Sequence, residues 1–298
     1  MSKRGMSCQM KTVFIHRRSS LQLMLSCVVC CFVNGLAGCA ASPNNSGSGG
    51  SGGGAPAPPS ISGNWQLQAT QTAGPATFTS LAGFINQQGD SSTESNFTTA
   101  ALQSFVTLAS ACYSSATAIP LEGSVQGTQI GLRSFSVNGQ FLSINATEDA
   151  TGTHMTGTYV IDGGCADGAK GTITGTEYAL LTGVYSGMVA GSSPAQTLVL
   201  TLSQTAQGAG DGIFFVTGSA VFSGFSCFTK GTLTSPNGFI IGNSTSLTFT
   251  TNDINGASVV LTGTIDPAAD TLTLSSVAVV GGTCQGTFGV ATLTQSGS

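Results

Sequence analysis

Apolar and polar residues alternate along much of the chain after residue 61, and Thr or Ser fills many of the polar positions. The clearest alternating apolar residues are Leu198, Leu200 and Leu202, Leu247 and Phe249, and Leu272 and Leu274. A period of two is typical of β-strands that bury one face. Asn-Gly pairs at Asn138, Asn237 and Asn255 favour tight hairpin connections. The pattern therefore predicts an all-β, mainly antiparallel fold.

One segment departs from this period. Leu102, Phe105, Val106 and Ala109 recur at the spacing of one helix face. We therefore expect a short helix over residues 98–111 in an otherwise all-β chain.

Four landmarks recur in the same order in the two halves of the chain. They are Gly63-Asn64-Trp65 and Gly183-Val184-Tyr185, Cys112-Tyr113 and Cys227-Phe228, Val137-Asn138-Gly139 and Ile254-Asn255-Gly256, and Gly163-Gly164-Cys165 and Gly281-Gly282-Thr283-Cys284. The interval from the Asn-Gly pair to the last cysteine is 26 residues in the first half and 28 in the second. Recurrence with matching intervals indicates a duplication. We expect two tandem homologous β modules, residues 61–179 and 180–298, each a small barrel or a sandwich.

Four cysteines lie within these modules: Cys112, Cys165, Cys227 and Cys284. Four cysteines allow three pairings. The repeat selects Cys112 with Cys165 and Cys227 with Cys284, because each module then closes its own bridge. Each bridge stabilises the fold by about 4 kcal/mol in the chain-entropy description. Free thiols that bind a metal are the alternative, but these cysteines form no CxxC pair. We expect no metal or other cofactor.

The modules carry very little positive charge. The chain has 8 Lys and Arg against 12 Asp and Glu, and five of the eight basic residues precede residue 20. Arg133, Lys170 and Lys230 are the three that remain. So few cations cannot neutralise a phosphate backbone, so nucleic acid is excluded as a partner.

The first residues have the order of a secretory signal. A basic segment up to residue 20 is followed by an apolar run over residues 21–33 and then by small residues. The apolar run is too short for a comfortable bilayer span. We expect residues 1–38 to be a signal peptide, with Met1 or Met10 as the start of translation.

The apolar run is followed by Leu36-Ala37-Gly38-Cys39, and here the sequence resembles a bacterial lipoprotein precursor, whose lipobox has this form. The resemblance implies cleavage before Cys39 and acylation of Cys39 with fatty acids such as palmitate. Ala40, a residue other than Asp, implies sorting to the outer membrane. Each buried methylene adds about 0.8 kcal/mol, so several acyl chains would anchor the protein to the membrane. An ordinary secretory signal that is cut elsewhere is the alternative.

Residues 39–60 join this cysteine to the modules through a Gly, Ser and Pro-rich segment with the composition of a flexible linker. The modules themselves are faintly similar to avidin-type and lipocalin-type barrels in their short Thr-Gly motifs. That similarity implies no ligand-binding residue here.

Few residues are candidates for catalysis. His154 is the single histidine after Cys39, and its counterpart in the repeat, Thr273, lies in an alternating strand and should face outward. A glycosidase needs two carboxylates across a sugar. The candidates are Glu94, Glu122, Glu148 with Asp149, and Glu177, which we interpret as solvated loop charges. We interpret Asp253, Asp266 and Asp270 as turn residues, since no complete EF-hand loop is present.

Trp65 and Tyr185 occupy equivalent positions in the repeat. They are candidates for stacking on a sugar or, alternatively, for core packing. Together these features predict a membrane-anchored lipoprotein of the bacterial cell envelope with a binding or structural role toward a small apolar or glycan ligand. An envelope hydrolase that acts on glycans is the alternative, but no catalytic signature supports an enzyme. The sequence leaves open the ligand, the protein partners, the side of the membrane, the oligomeric state and the independence of the two halves.

Overall fold

The computed structural model describes residues 60–88, 94–105, 112, 118–209 and 212–296. Within these ranges the chain forms seventeen β-strands and one 3-10 turn, and it forms no α-helix. Every pairing between these strands is antiparallel. The predicted all-β, antiparallel fold is confirmed.

The first eight strands form a closed barrel in which each strand pairs with its neighbours along the chain. The strands are β1 (Gly63–Ala73), β2 (Ser80–Gln88), β3 (Glu94–Phe105), β4 (Ala118–Gln126), β5 (Gln129–Ser134), β6 (Phe141–Glu148), β7 (His154–Asp162) and β8 (Lys170–Tyr178). β8 returns to β1 and closes the barrel, with Glu177 opposite Trp65.

The remaining strands form a second barrel-like sheet with the same up-and-down order. They are β9 (Gly183–Met188), β10 (Thr197–Gln204), β11 (Phe214–Ser223), β12 (Lys230–Leu233), β13 (Gly238–Ile241), β14 (Ser244–Thr251), β15 (Ser258–Ile265), β16 (Thr271–Val280) and β17 (Gly286–Gln295). β17 pairs with β9, and β10 pairs with β11, so the sheet closes on itself. β12 and β13 both lie between β11 and β14, so they are two halves of one interrupted strand.

Alternation places one face of each strand inside its barrel. The apolar side chains named from the sequence pattern, such as Leu200, Phe249 and Leu274, are fully buried in the core of the second barrel. A separate cluster that includes Trp65 and Leu67 fills the first barrel. The interiors are therefore packed with side chains, as the period of two requires.

The predicted helix over residues 98–111 is wrong for residues 98–105, which belong to β3. β3 is paired on both sides, and Leu102 lies opposite Gly83 of β2 and Ile119 of β4. Two ladders of backbone hydrogen bonds outweigh a local helical spacing of four apolar residues. Residues 106–111 lie outside the described residues.

Both predicted disulfides are present. Cys112 pairs with Cys165, and Cys227 pairs with Cys284, with Cα atoms 5.6 and 6.1 Å apart. In each barrel the bridge joins the connection after the third strand to the connection before the last strand. The internal repeat therefore selected the correct pairing.

The outer face of β1 and β2 packs against the second barrel. Phe84 of β2 belongs to the hydrophobic core of the second barrel and meets Phe214 edge to face. Gln66 and Ala82, on the same outer face, lie against Gly242 after β13. The two barrels thus share buried surface and belong to one compact unit.

Candidate functional site

One end of the first barrel carries acidic side chains that point inward. At this end β6 finishes with Glu148 and β8 finishes next to Glu177. Glu148 continues the buried alternation of Leu142, Ile144 and Ala146, and Glu177 continues the inward series of β8. We call this end, defined by Glu148 and Glu177, the carboxylate end.

Glu148 is a buried carboxyl group. Its side chain lies at the inward end of β6, the residue is 4% exposed, and neither carboxyl oxygen has a hydrogen-bond partner among the described residues. Burial, and secondly the charge of Asp149, raise the pKa of Glu148 to about 7. Since a buried carboxylate without a donor is costly, the neutral acid is the favoured form at this position.

Glu177 lies opposite Trp65 across the β1–β8 pairing. Its Oε1 atom occupies the space where a side chain at Gly63 would be, so Gly63 is the residue that admits it. Burial raises the pKa of Glu177 to about 7. The carboxylate end therefore holds two carboxyl groups that titrate near neutral pH.

The second barrel has neutral residues at both positions. Gln295 lies opposite Tyr185, as Glu177 lies opposite Trp65, and its Nε2 donates a 2.7 Å hydrogen bond to the Thr182 carbonyl. A protonated carboxyl of Glu177 has the shape and the donor of this amide. The second barrel thus shows the hydrogen-bonding role that a protonated Glu177 would fill.

The counterpart of Glu148 in the second barrel is identified by the turn that follows it. The Asp149 N–H donates to the His154 carbonyl, and the Asp266 N–H donates to the Thr271 carbonyl in the same way. Ile265 therefore corresponds to Glu148, and it is also 4% exposed. The same turn makes Thr271 the counterpart of His154, so the counterpart expected from the sequence, Thr273, is wrong by two residues. An apolar side chain fills in the second barrel the place that a carboxyl fills in the first.

Asp149 organises the loop between β6 and β7. Its carboxylate accepts hydrogen bonds from the Thr151 hydroxyl and from the backbone N–H groups of Thr151, Thr153 and His154. Partial desolvation raises the pKa of Asp149, but these hydrogen bonds together lower it below its ordinary value. Asp149 is therefore a charged turn residue whose acceptor capacity is largely used by the loop.

His154 stands next to this turn, on the surface. Its side chain is 59% exposed, and Nδ1 lies 3.4 Å from Asp149 Oδ2 and 3.0 Å from Thr153 Oγ1. His154, Asp149 and Glu148 line a shallow hollow of about 140 Å³. Ligand pockets usually have at least about 300 Å³, so this hollow holds a small group rather than a whole sugar.

The sequence interpretation of the carboxylates as solvated loop charges is wrong for Glu148 and Glu177, which lie at the inward ends of strands. Glu122 lies on the exposed face of β4, opposite Arg133 of β5. Glu94 begins β3, and its side chain is outside the described residues. The alternation signal for Glu148 was present in the sequence, because Leu142, Ile144 and Ala146 precede it at a period of two.

The aspartates of the second barrel lie in turns. Asp253 Oδ1 accepts from the Asn255 N–H at 2.9 Å, and Asp266 Oδ1 accepts from the Thr271 N–H at 2.8 Å. The Asp270 carbonyl accepts from the Gln295 N–H. In the part of the chain that the structure describes, no three His, Cys, Asp or Glu side chains are grouped so that they could hold a metal ion.

Trp65 and Tyr185 are both fully buried. The Trp65 Nε1–H donates to the Ile61 carbonyl at 2.8 Å, and the Tyr185 hydroxyl donates to the Ala269 carbonyl at 2.6 Å. Burial, and then the charges of Asp270 and Asp266, raise the pKa of Tyr185 to about 12. Because their rings face the cores, neither residue offers a surface on which a sugar can stack.

Cys39 and the linker up to residue 59 lie outside the described residues. No helix among the described residues is both long enough and apolar enough to span a bilayer. Comparison of the chain with protein-family models, with curated proteins and with solved structures finds no match.

Proposed function

We propose that this protein is a lipid-anchored protein of the bacterial cell envelope, in which two barrels form a rigid module with a binding or structural role. The observation that carries this proposal is the packing of both barrel interiors. Leu198, Leu200 and Leu202 of β10 turn their side chains into the second core and are at most 2% exposed. A filled barrel favours display of an outer surface over carriage of a ligand inside, as a lipocalin-type cavity would require.

The two disulfides support export. Disulfides form and persist in oxidising compartments such as the periplasm and the cell surface. Each barrel has one, at the same place in the topology. A secretory signal that ends in the Leu36–Cys39 segment would direct the chain to such a compartment, where both disulfides would persist.

The anchor and linker set the working distance of the module. Cys39 would carry the acyl chains, and about 20 residues separate it from Ile61. A Gly and Ser-rich chain of that length has a root-mean-square span of about 25 Å. The barrels would therefore stand near the outer membrane with freedom to reorient, reaching a small apolar or glycan ligand or a protein partner there.

The test is the intact mass of the protein extracted from its native envelope, measured with and without reduction and alkylation. We expect a chain that begins at Cys39 with added acyl mass, no alkylation before reduction, and alkylation of the four module cysteines after it. The Cys39→Ser chain should carry no acyl mass and should keep its first residues. An unacylated wild-type mass would overturn the anchor, and a thiol that reacts before reduction would overturn export into an oxidising compartment.

An envelope hydrolase that acts on glycans is the second candidate. The hollow formed by Glu148, Asp149 and His154 favours it, because a carboxyl with a pKa of about 7 can act as a general acid. The Glu148→Gln and His154→Ala variants decide between the candidates in an assay of peptidoglycan and polysaccharide cleavage. We expect no turnover by the wild-type protein. Turnover that either substitution abolishes would overturn the non-enzymatic role.

A further inference from the structure

A cavity of about 310 Å³ lies where the two barrels meet. The first barrel contributes Ser62, Phe84 and Asn86 to its wall, and the second contributes Ala206, Gln207 and Phe214. None of the described residues that line it carries a charge. Ligand sites occur preferentially at such junctions between folded bodies, where two surfaces form a concavity that neither makes alone.

The floor of the cavity is held in place from both sides. The rings of Phe84 and Phe214 meet edge to face, with centroids 6.2 Å apart and planes at 83°. The backbone of Gly208 lies so close to the Phe84 ring that a side chain at that position would collide with it. Next to the cavity, Asn64 of the first barrel is hydrogen-bonded to Gly242 of the second. The cavity is therefore formed before any ligand arrives, which lowers the cost of binding.

Ser62, Asn86 and Gln207 are the polar side chains among the described lining residues, and Ser62 and Gln207 offer donors to a ligand. Ser62 Oγ accepts a 2.8 Å hydrogen bond from the Gln87 N–H, and its own hydroxyl proton has no acceptor among the described residues. Gln207 is hydrogen-bonded through its backbone carbonyl to the Thr205 hydroxyl, and its side-chain amide has no partner among the described residues. The wall thus offers donors to an acceptor group on a ligand, beside the aromatic surface of Phe84 and Phe214.

We propose that this cavity binds a neutral, mainly apolar molecule of about two fused rings that carries one hydrogen-bond acceptor. The size follows from the volume, because an apolar cavity of about 150 Å³ takes a benzene and this one is about twice as large. The neutrality follows from the uncharged wall, which cannot repay the desolvation of an ion. The acceptor follows from the Ser62 hydroxyl. The site deepens the proposed binding role but does not require the lipid anchor, so the two can fail separately.

The test uses the full chain in detergent and two probes of the same shape. The first is 2-acetylnaphthalene, which is neutral and has a carbonyl acceptor, and the second is 2-naphthoate, which is charged at neutral pH. Binding is followed by saturation-transfer NMR and by nuclear Overhauser contacts with the Phe84 and Phe214 rings. We expect a Kd on the order of 10⁻⁴ M for 2-acetylnaphthalene and binding of 2-naphthoate at least about tenfold weaker.

Three variants locate the site. Ala206→Phe puts a ring into the cavity and should weaken binding at least about tenfold, and Ser62→Ala should weaken it about three- to tenfold by removing the donor. Ala190→Phe, in a separate surface hollow beside Met188, is the matched control and should leave Kd unchanged. Partition of the probe into detergent is the same for every variant, so it cancels in the comparison.

Intact disulfides and an unchanged near-ultraviolet circular dichroism spectrum show that each variant is folded. If Ala206→Phe does not fold, Ser62→Ala and the Overhauser contacts still decide the question. Equal binding by wild type and by both cavity variants would overturn the site. Binding of 2-naphthoate as tight as that of 2-acetylnaphthalene would overturn the proposed ligand class.

Discussion

The side chain of Asn64 in the first barrel makes two hydrogen bonds with the backbone of Gly242 in the second. Asn64 Nδ2 donates to the Gly242 carbonyl and the Gly242 N–H donates to Asn64 Oδ1, each over 2.7 Å. Asn64 is 1% exposed, so water cannot replace either bond. The amide satisfies a buried peptide group that belongs to the other barrel. The two halves of the chain are therefore packed as one body at this point.

Removal of the Asn64 amide should destabilise the protein. We expect Asn64→Ala to lower the free energy of unfolding by about 2–4 kcal/mol, because it leaves a buried donor and a buried acceptor of Gly242 without partners. Urea unfolding followed by tryptophan fluorescence measures the change. Asn145→Ala, on the exposed face of β6, is the control and should change stability by less than about 0.5 kcal/mol. Equal urea midpoints for the two variants would show that the hydrogen bonds between Asn64 and Gly242 do not stabilise the protein.

The other partner of this contact gives a second prediction. Gly242 has φ of +53°, and a side chain there would collide with Gln66 and Ala82. Gly242→Ala should therefore cost about 3 kcal/mol or more, since a backbone penalty of about 1–2 kcal/mol adds to the collision. Gly127, in the equivalent turn of the first barrel, has φ of +58° with open space around it. Gly127→Ala should cost only the backbone penalty, and an equal loss in both variants would show that the junction does not matter.

Glu177 should make the stability of the protein depend on pH. Its pKa is raised from 4.5 to about 7 in the folded protein, so between these values the folded state binds more protons than the unfolded state. The contribution of Glu177 to the free energy of unfolding is therefore fully present below pH 4.5 and is lost as the pH rises to about 7. Glu177→Gln copies Gln295 and should stabilise by about 1 kcal/mol at about pH 8, after allowance for the partial exposure of the group.

The same substitution should have no effect at about pH 4, where the carboxyl is protonated in both states. Thermal unfolding of wild type and Glu177→Gln across this pH range measures the difference. A constant difference between wild type and Glu177→Gln at all pH values would contradict the titration of Glu177.

Replacement of Glu148 by an apolar residue should stabilise the protein more than its replacement by an amide. We expect Glu148→Ile, which copies Ile265, to stabilise the protein by about 1–2 kcal/mol at about pH 8, because it removes a carboxyl that has no hydrogen-bond donor. The gain should shrink as the pH falls below about 7, where the carboxyl becomes neutral. Glu148→Gln leaves a polar group in the same place and should stabilise less. Equal gains from the two substitutions would mean that charge alone decides the cost.

The sequence predicted the strands and the disulfides because both depend on signals that repeat. The alternation at Leu198, Leu200 and Leu202 and the matching intervals between cysteines are visible without coordinates. The helix predicted around Leu102 was wrong for the opposite reason. Its helical spacing is local, whereas the ladders that make it a strand come from β2 and β4.

The contact between Asn64 and Gly242 has no repeating signal in the sequence. Asn64 stands 178 residues from Gly242, and its counterpart in the repeat is Val184, which is exposed on the second barrel. The pattern of the repeat therefore gave no reason to expect a buried amide at Asn64. Glu177 was missed for a related reason, because the neighbouring inward position on β8 is Gly175 rather than a large apolar residue.

The pairing of Asn64 with Gly242 also shows that the two barrels meet through unlike surfaces. A contact between unlike surfaces of two copies can in principle be repeated along a growing row. Here the first copy supplies the asparagine and the second supplies the turn. The second copy has Val184 where the next asparagine would be, and a Cβ placed at Gly127 in the first copy would have no described atom within 4 Å. Each barrel therefore carries one half of this contact, and among the described residues neither barrel carries both halves.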